Sequence, residues 1–347
     1  MDIAVIGAAG SCGRQLAAQL LSLELLEPSA RLQLVGHRDG RSHHELWGLR
    51  ADLHDAFADR APSLQLADSP DQVEADLVVM LAGATVPTDP NAVPDRARLA
   101  QINDGIFRSY AEALASRSGP SPIVIVQSNP VEHGVAVFAE ALGRHRVVGA
   151  GAWSDTLRFR REVAHELGVR RPEVDALVLG QHGDHLVPVW SRLRVAGIDD
   201  DVLAAFVAAQ RAGRALADLA DEIAAGKAAM VERVRADDVE GAYALVEALP
   251  VDVRTGVKPF FTHFTAGHTT EIHTAHAVAD LVAAIVRGRD VRRPLQISLE
   301  GEVAGLHGVT AVPVVLGASG WSDATDPGLA DDELEALGKA VGAASVR

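Results

Sequence analysis

The chain has 347 residues, of which 48% are hydrophobic, and a formal net charge of −15. This length allows two domains, and the excess of acidic residues argues against a nucleic-acid partner, because phosphate binding needs clustered Lys and Arg. A single cysteine, Cys12, excludes an intramolecular disulfide and a multi-cysteine metal site. With no basic segment before the first apolar run and no apolar stretch of transmembrane length, we expect a cytoplasmic protein without a membrane partner.

The first element is an apolar run at residues 2–6, which predicts a buried strand, and an amphipathic helix is predicted over residues 14–26. A glycine-rich loop joins them. A strand, a glycine loop and a helix in this order suit a dinucleotide, because glycine lets the backbone approach phosphates and the helix N-terminus faces their charge. The alternative is a tight turn between strand and helix. The pyrophosphate-binding residues predicted here are Gly7, Gly10, Ser11, Cys12 and Gly13.

A second strand is predicted at residues 31–35, and Gly36 follows it. Enzymes that use NAD place an Asp or Glu at the end of this strand to hold the ribose hydroxyls. Here that acid is missing, while His37 and Arg38 come next, and a guanidinium binds a 2′-phosphate. The pattern therefore favours NADP over NAD. The alternative is that Asp39 turns towards the ribose while the basic side chains remain solvated.

Strands and helices then alternate, with strands at 76–82, 123–126 and 147–149 and a helix at 97–116. This alternation predicts an α/β protein with a doubly wound parallel sheet. Residues 1–150 are predicted to form a dinucleotide-binding domain. Residues 151–347 are predicted to form an α+β domain for substrate and catalysis, with a helical region at 199–234, antiparallel strands within 295–316 and a closing helix at 331–341.

Three residues of this second part carry the chemistry. Asp155 and Arg158 lie on a predicted helix, and His182 follows the apolar run 176–179. A histidine can donate a proton near neutral pH, a carboxylate can orient its ring, and an arginine can bind a carboxylate with two parallel hydrogen bonds. These are the groups that reduction of a 2-oxo acid requires. Each also has a plainer interpretation, since Asp155 and Arg158 can form a surface ion pair and His182 can be a packed loop residue.

The order and spacing of these motifs resemble the lactate/malate dehydrogenase family. The similar segments are a Gly-x-x-Gly-x-x-Gly loop, an Asp-x-x-Arg helix and a His-Gly-Asp loop, together with Arg96–Asn103, Asn129-Pro130-Val131 and the Val-Pro-x-Trp-Ser segment at 187–191. The resemblance covers nearly the whole chain. It implies a Rossmann domain followed by the substrate domain, with His182 as the acid/base, Asp155 as its partner and Arg158 as the carboxylate clamp.

Further roles follow only from the resemblance. Arg96 would polarise the ketone when a lid closes, and Asn129 would contact the substrate oxygen or His182. Thr270 would line the substrate pocket, although it can equally be a helix-capping residue. Gly83, Asn103 and Asn129 would contact the coenzyme. The family also implies a homodimer or homotetramer.

Two segments depart from the family pattern. The loop at 84–95 is about four residues longer than the usual lid, with three prolines that stiffen it, and Val86 stands where malate dehydrogenases place a second arginine. A valine cannot pair with a second carboxylate. Residues 236–266 look like an insertion, which would either reshape the pocket or serve packing or a subunit contact. We expect no metal at the nearby His263, His268, His273 and His276.

The function that these patterns predict is an NAD(P)-dependent L-2-hydroxy acid dehydrogenase acting on a small 2-oxo or 2-hydroxy acid. The alternative is a non-catalytic NAD(P)-binding sensor or scaffold of the same fold, which would not need the His, Asp and Arg set. A tyrosine-dependent reductase needs Tyr-x-x-x-Lys. Leu114 and Glu247 stand four residues after the only tyrosines, Tyr110 and Tyr243, so the chain lacks that motif.

Overall fold

The computed structural model describes residues 1–39, 41–92, 96–183 and 185–345. Within these ranges the side chains of Arg41 and Arg96 and those after Gly342 are not described. Asp184 of the predicted His-Gly-Asp loop and residues 93–95 of the predicted lid lie outside the described residues.

The N-terminal half is built on a parallel sheet with the strand order β3-β2-β1-β4-β5-β6. Every residue of β1 is buried, and the same holds for β4 and β5. Continuous apolar runs of this kind are what a parallel sheet covered on both faces requires. The strands are β1 (Ile3–Ile6), β2 (Arg31–Val35), β3 (Ser63–Ala67), β4 (Leu77–Met80), β5 (Ile123–Val126) and β6 (Val147–Gly149).

Helices connect these strands and cover the two faces of the sheet, as parallel pairing demands. They are α1 (Ser11–Ser22), α2 (Arg41–Phe57), α3 (Arg96–Ala115) and α4 (Val131–Leu142), and α5 (Gly151–Leu167) follows the last parallel strand. The predicted doubly wound α/β fold is confirmed.

The second half adds antiparallel strands to the same sheet. Strand β11 (Val291–Glu300) pairs with β6, β12 (His307–Gly317) pairs with β11, and β8 (Val178–Gly180), β9 (Leu186–Pro188) and β13 (Gly320–Ala324) complete a sheet that has eleven strands in the described part of the chain. A small separate sheet joins β7 (Val174–Asp175) to β10 (Arg194–Val195). One hydrophobic core extends through both halves. The division at residue 150 remains a prediction.

The helices of the second half are α6 (Asp200–Arg211), α7 (Leu219–Arg235), α8 (Val239–Glu247), α9 (Val251–Ala266), α10 (Glu271–Val286) and α11 (Asp331–Ser345). The segment 236–266 therefore consists mainly of α8 and α9. Helix α9 packs on α5 and α7, which places it beside the helix that carries Asp155 and Arg158. No helix in the described ranges is long and apolar enough to cross a membrane.

Several predicted boundaries were wrong. Helix α1 begins at Ser11 rather than residue 14 and ends at Ser22, because the chain turns at Glu24 with a φ of 50°. Strand β4 is shorter than the predicted 76–82. The helical region at 199–234 is two helices, since Ala212 and Gly213 both have positive φ and end α6.

Candidate functional site

The glycine loop after β1 packs so closely that side chains cannot replace its outer glycines. Gly7 has a φ of 85°, and a Cβ there would lie 2.7 Å from the main-chain N of Ala82. A Cβ on Gly13 would lie 2.3 Å from the carbonyl oxygen of Gly7. These contacts hold the N-terminus of α1 tightly against the end of β1. The arrangement is the one that a dinucleotide pyrophosphate needs.

The first turn of α1 presents its main-chain N–H groups without a side-chain cap. Gly10 is the N-cap residue, and it has no side chain that could accept a hydrogen bond from the first turn. Ser11 and Cys12 are half-buried. Burial raises the pKa of the Cys12 thiol to about 11, which keeps it protonated, and its neighbours include Thr274 of α10. The neutral thiol of Cys12 does not repel an anion, so the main-chain N–H of this residue can bind one.

The end of β2 is tightly packed at Gly36, where many dinucleotide-binding proteins carry an acid. A Cβ on Gly36 would lie 2.6 Å from Cδ1 of Leu46 and 2.7 Å from Oγ of Ser42. Arg38 is exposed, and its guanidinium donates two hydrogen bonds to Asp68, from Nε over 3.2 Å and from Nη2 over 2.9 Å. Exposed His37 accepts the main-chain N–H of Asp39 at Nδ1.

Asn103 ties together the loops that follow β4 and β5. Its Nδ2 donates to the carbonyl oxygens of Ala84, over 3.0 Å, and of Asn129, over 2.7 Å, and its Oδ1 accepts the N–H of Ala84. A Cβ on Gly83 would lie 3.2 Å from that same Oδ1. The predicted coenzyme residues Gly83, Asn103 and Asn129 thus lie together, and the side chain of Asn129 is exposed.

Asp155 bridges the other two residues predicted to carry the chemistry. Nδ1 of His182 donates to its Oδ2 over 2.7 Å, and Nη1 of Arg158 donates to its Oδ1 over 3.0 Å. Helix α5 supplies Asp155 and Arg158 on one face, and His182 stands just after β8. Because Asp155 accepts the hydrogen bond donated by Nδ1–H, Nε2 is the ring nitrogen left for a substrate.

Burial and charge act in opposite directions on these groups. Burial by itself lowers the pKa of His182, but the Asp155 carboxylate outweighs it and the pKa lies above its ordinary value. Burial raises the pKa of Asp155, but His182 and Arg158 more than reverse that effect, so the carboxyl stays ionised. The cluster is therefore poised to hold an imidazolium beside a carboxylate.

Helix α10 contacts α5 next to Asp155. Thr270 is its N-cap residue, but its hydroxyl makes no capping hydrogen bond and lies 3.4 Å from Oγ1 of Thr274. His273 donates from Nε2 to the carbonyl oxygen of Ser154 over 2.9 Å. Burial and the nearby Arg158 lower the pKa of His273 to about 3, so this ring stays neutral.

The loop after Gly83 is held against the second half of the chain. His263 of α9 donates from Nε2 to the carbonyl oxygen of Pro87 over 3.0 Å. Arg235 of α7 donates to the carbonyl oxygen of Pro90 from Nε and Nη2, over 2.8 and 2.6 Å. Val86 is half-buried in this loop. Arg96 begins α3, and its side chain lies outside the described part of the chain.

Sequence reasoning missed two residues beside His182. Glu132 accepts the main-chain N–H of His182, and Gln296 donates to the same carboxylate. Glu132 directly follows the Asn-Pro-Val motif among apolar residues, which was the only available signal. Among the described residues, no group of three or more His, Cys, Asp or Glu side chains is placed to hold a metal ion.

This fold and site define a dinucleotide-binding α/β protein with a buried Asp-His-Arg cluster, and comparisons with known proteins give its family. Residues 1–149 match the lactate/malate dehydrogenase NAD binding domain, and residues 154–264 match the alpha/beta C-terminal domain of the same family. The chain belongs to the lactate/malate dehydrogenase family, as the sequence motifs predicted. The second match includes most of the segment 236–266.

Individual relatives agree with this assignment. The chain is 30% identical to a malate dehydrogenase of Halobacterium salinarum over 342 residues, covering 97% of this chain and 95% of the relative. It is 30% identical to an L-lactate dehydrogenase of Salinibacter ruber over 273 residues, covering 76% and 72%. The crystal structure of Cryptosporidium parvum malate dehydrogenase has the same fold, with a TM-score of 0.75, 22% identity and coverage of 99% and 96%.

Proposed function

We propose that the protein is a nicotinamide-dependent L-2-hydroxy acid dehydrogenase that interconverts a small 2-oxo acid and its 2-hydroxy acid. The observation that carries the proposal is Asp155, which holds a proton donor and a carboxylate-binding guanidinium with its two oxygens. A non-catalytic sensor of the same fold has no use for this buried arrangement. Family membership supports the same activity.

The glycine loop fits the coenzyme. Gly7, Gly10 and Gly13 would let the pyrophosphate approach the main chain, and the uncapped N–H groups of Ser11 and Cys12 would bind it. Gly83, Asn103 and Asn129 would complete the site. When bound, the nicotinamide supplies or accepts the hydride.

The residues of the chain then carry the remaining steps. The guanidinium of Arg158 binds the substrate carboxylate with two parallel hydrogen bonds. In reduction, Nε2 of His182 gives its proton to the carbonyl oxygen as negative charge develops there. Asp155 accepts the hydrogen bond from Nδ1–H, which holds this proton on the ring, and it stabilises the imidazolium before the transfer. Arg96 would add positive charge beside that oxygen, and Asn129 and Thr270 would complete the substrate site.

A substrate panel tests the proposal. Initial rates of NADPH and NADH oxidation are measured with oxaloacetate, pyruvate and bulkier 2-oxo acids. Because Val86 cannot pair with a second carboxylate, we expect faster turnover of 2-oxo acids that lack one. Faster turnover of oxaloacetate would mean that another cation binds its second carboxylate.

His182→Ala separates the enzyme from a sensor. We expect kcat to fall about 10²- to 10⁴-fold, because general acid catalysis is lost, while coenzyme affinity stays near that of the wild type. His185→Ala, in the same loop, serves as the control. Wild-type turnover by the His182→Ala protein would overturn the proposed role.

We further propose that NADPH is preferred to NADH. Gly36 stands where a carboxylate would hold the ribose, a Cβ there would require the side chains of Leu46 and Ser42 to shift, and Arg38 lies exposed two residues later. Asp68 offsets the charge of that guanidinium. We therefore expect Asp68→Asn to raise the NADPH/NADH ratio of kcat/KM and Arg38→Ala to lower it, each about 10-fold.

Arg60→Ala is the matched control for the coenzyme test, because Arg60 is exposed and forms a comparable ion pair with Glu24. An unchanged ratio in both the Arg38 and the Asp68 variants would argue for the alternative, in which Asp39 holds the ribose. The homodimer or homotetramer and the cytoplasmic location stay predictions.

A further inference from the structure

Glu132 contacts the main chain of His182, whereas Asp155 contacts its ring. It belongs to the first turn of α4 and is 4% exposed. Its Oε1 accepts the main-chain N–H of His182 over 2.7 Å and the Nε2 of Gln296 over 3.3 Å. Gln296 is fully buried on β11, and its own Oε1 accepts the N–H of Ala152 over 3.2 Å. Three elements of the fold thus meet at the main chain of His182.

The main chain of His182 needs such a partner. Strand β8 ends at Gly180, so the N–H of His182 has no partner in the sheet ladder. An unpaired main-chain N–H in a buried position is costly. The ring has little freedom on the other side, because a Cβ on Gly151 would lie only 2.6 Å from Cγ of His182. A small displacement of the loop would therefore move the ring away from Asp155.

We propose that Glu132 is a positioning residue for His182, which fixes the main chain of the loop so that Nδ1 meets Asp155 and Nε2 faces the substrate. This inference rests on the proposed dehydrogenase function. Asp155, on α5, sets the tautomer and the orientation of the ring. Glu132, on α4, fixes the position of the main chain from which the side chain of His182 extends. The groups around the ring are Asp155, Arg158 and Glu132, and His273 faces Asp155 from α10.

The role assigned to Glu132 is that of a hydrogen-bond acceptor. Glutamine has the same length and keeps an acceptor oxygen at the position of Oε1, so Glu132→Gln should preserve the position of the loop. Alanine removes the acceptor and leaves the N–H unpaired. Aspartate is one methylene shorter and should place its oxygen too far from the N–H of His182.

The experiment compares Glu132→Ala, Glu132→Gln and Glu132→Asp with the wild type. Glu140, exposed on the same helix, provides the controls Glu140→Ala and Glu140→Gln. The readouts are kcat and KM for the 2-oxo acid, coenzyme affinity, and hydrogen exchange of the His182 amide followed by NMR. We expect Glu132→Ala to lower kcat about 10- to 100-fold with coenzyme affinity unchanged, and Glu132→Gln to stay within about 3-fold of wild type.

The exchange measurement does not depend on turnover. We expect the His182 amide to be protected in the wild type and in Glu132→Gln, and to exchange at least about 10-fold faster in Glu132→Ala. Unchanged exchange in Glu132→Ala, or an equal loss of kcat in the Ala and Gln variants, overturns the positioning role. If the Ala variant does not fold, Glu132→Asp decides by the same readouts. A wild-type protein that turns over no 2-oxo acid overturns the proposed function, while amide exchange still tests Glu132.

Discussion

Helix α5 contributes residues to two ionic clusters, and they differ in how many carboxylates surround the buried arginine of each. The first cluster is Asp155, Arg158 and His182. The second cluster begins one helical turn further along and consists of Glu162, Glu166, Glu247, Arg254 and Lys258. Arg158 is 9% exposed and Arg254 is 1% exposed, so both guanidinium groups have lost most of their water.

Their partners separate the two arginines. Arg254 places Nε 2.8 Å from Glu162 and Nη2 2.6 Å from Glu166, and its Nη1 donates to the carbonyl oxygen of Glu247 over 2.6 Å. Arg158 has one ion-pair partner among the described residues, Asp155, which it contacts through Nη1. An arginine whose guanidinium is surrounded by three carboxylates, as that of Arg254 is by Glu162, Glu166 and Glu247, holds a structure together. One with unused donors at the edge of a site is available for an acid.

The largest effect is expected from Arg254→Met. Removing Arg254 leaves the buried Glu162 with only Arg161 and Lys258 to offset its charge, so the free energy of unfolding should fall by about 3–5 kcal/mol. Denaturant unfolding measures it. Arg170→Met is the control, because Arg170 is exposed in a simple pair with Glu173 and should change stability by less than about 1 kcal/mol. Equal losses in the two variants would mean that Arg254 contributes no more to stability than an arginine in an exposed pair does.

Arg158→Lys should affect activity rather than stability. A lysine keeps the charge beside Asp155 but cannot form two parallel hydrogen bonds to a carboxylate. We expect kcat/KM to fall, mainly because KM rises. The loss should correspond to about 1.5–3 kcal/mol of transition-state stabilisation. Arg254→Lys is the matched variant of the second cluster and should change stability while leaving kcat/KM near wild type. The reverse pattern would contradict the assignment of Arg158 to the substrate.

The first cluster should also respond to pH. The pKa of His182 lies above its ordinary value of about 6.5, because Asp155 outweighs burial. Reduction needs the imidazolium, so its kcat/KM should be level at low pH and fall as pH rises through that pKa, whereas oxidation should rise there. His182 stabilises the folded protein fully at pH values below the pKa that it has in the unfolded chain. This contribution is lost as the pH rises through the higher pKa that it has in the folded protein.

Asp155→Asn should move both pH profiles to lower pH, because the carboxylate that raises the pKa of His182 is removed. Asp175→Asn is the control, since Asp175 is exposed and pairs with Arg160 at the surface. Profiles that stay in place after the Asp155 substitution would mean that another group sets the pKa.

The smallest effect is expected where the helices next to the second cluster contact the loop after Gly83. Helix α9 carries Arg254 and Lys258, and also His263, which holds the carbonyl oxygen of Pro87. Arg235 holds that of Pro90 from α7. Arg235→Ala should cost about 0.5–1.5 kcal/mol in loop docking and raise KM for the 2-oxo acid a few-fold. Arg233→Ala, on the same helix and paired with Asp238, should leave KM unchanged.

Much of the fold and of the first cluster could be predicted from the sequence. Apolar runs predicted β1, β2 and β5, and motif spacing placed Asp155, Arg158 and His182 in one site. Each of these features is signalled by a short stretch of sequence, either an apolar run or a motif of a few residues. Strand β3 was not predicted, because only two of its five residues are buried.

Features that depend on tertiary packing could not be predicted. The carboxylate of Glu132 meets the main chain of His182, fifty residues further along, and the Asn-Pro-Val motif before Glu132 does not specify this contact. The pairing of Arg254 likewise joins three helices, so its sequence context resembles that of any arginine on a helix. The break between α6 and α7 requires positive φ at Ala212, a residue that rarely adopts it.

The shared sheet limits how the chain can be divided for expression. Strand β6 is the last strand of the parallel half, and β11 covers its outer edge. A fragment of residues 1–149 would end in an open apolar strand edge and would lose the buried partners that α5 and β11 supply to the common core. Open edges of this kind recruit strands from other chains. The coenzyme-binding half made alone should therefore aggregate, although its own fold pattern is complete.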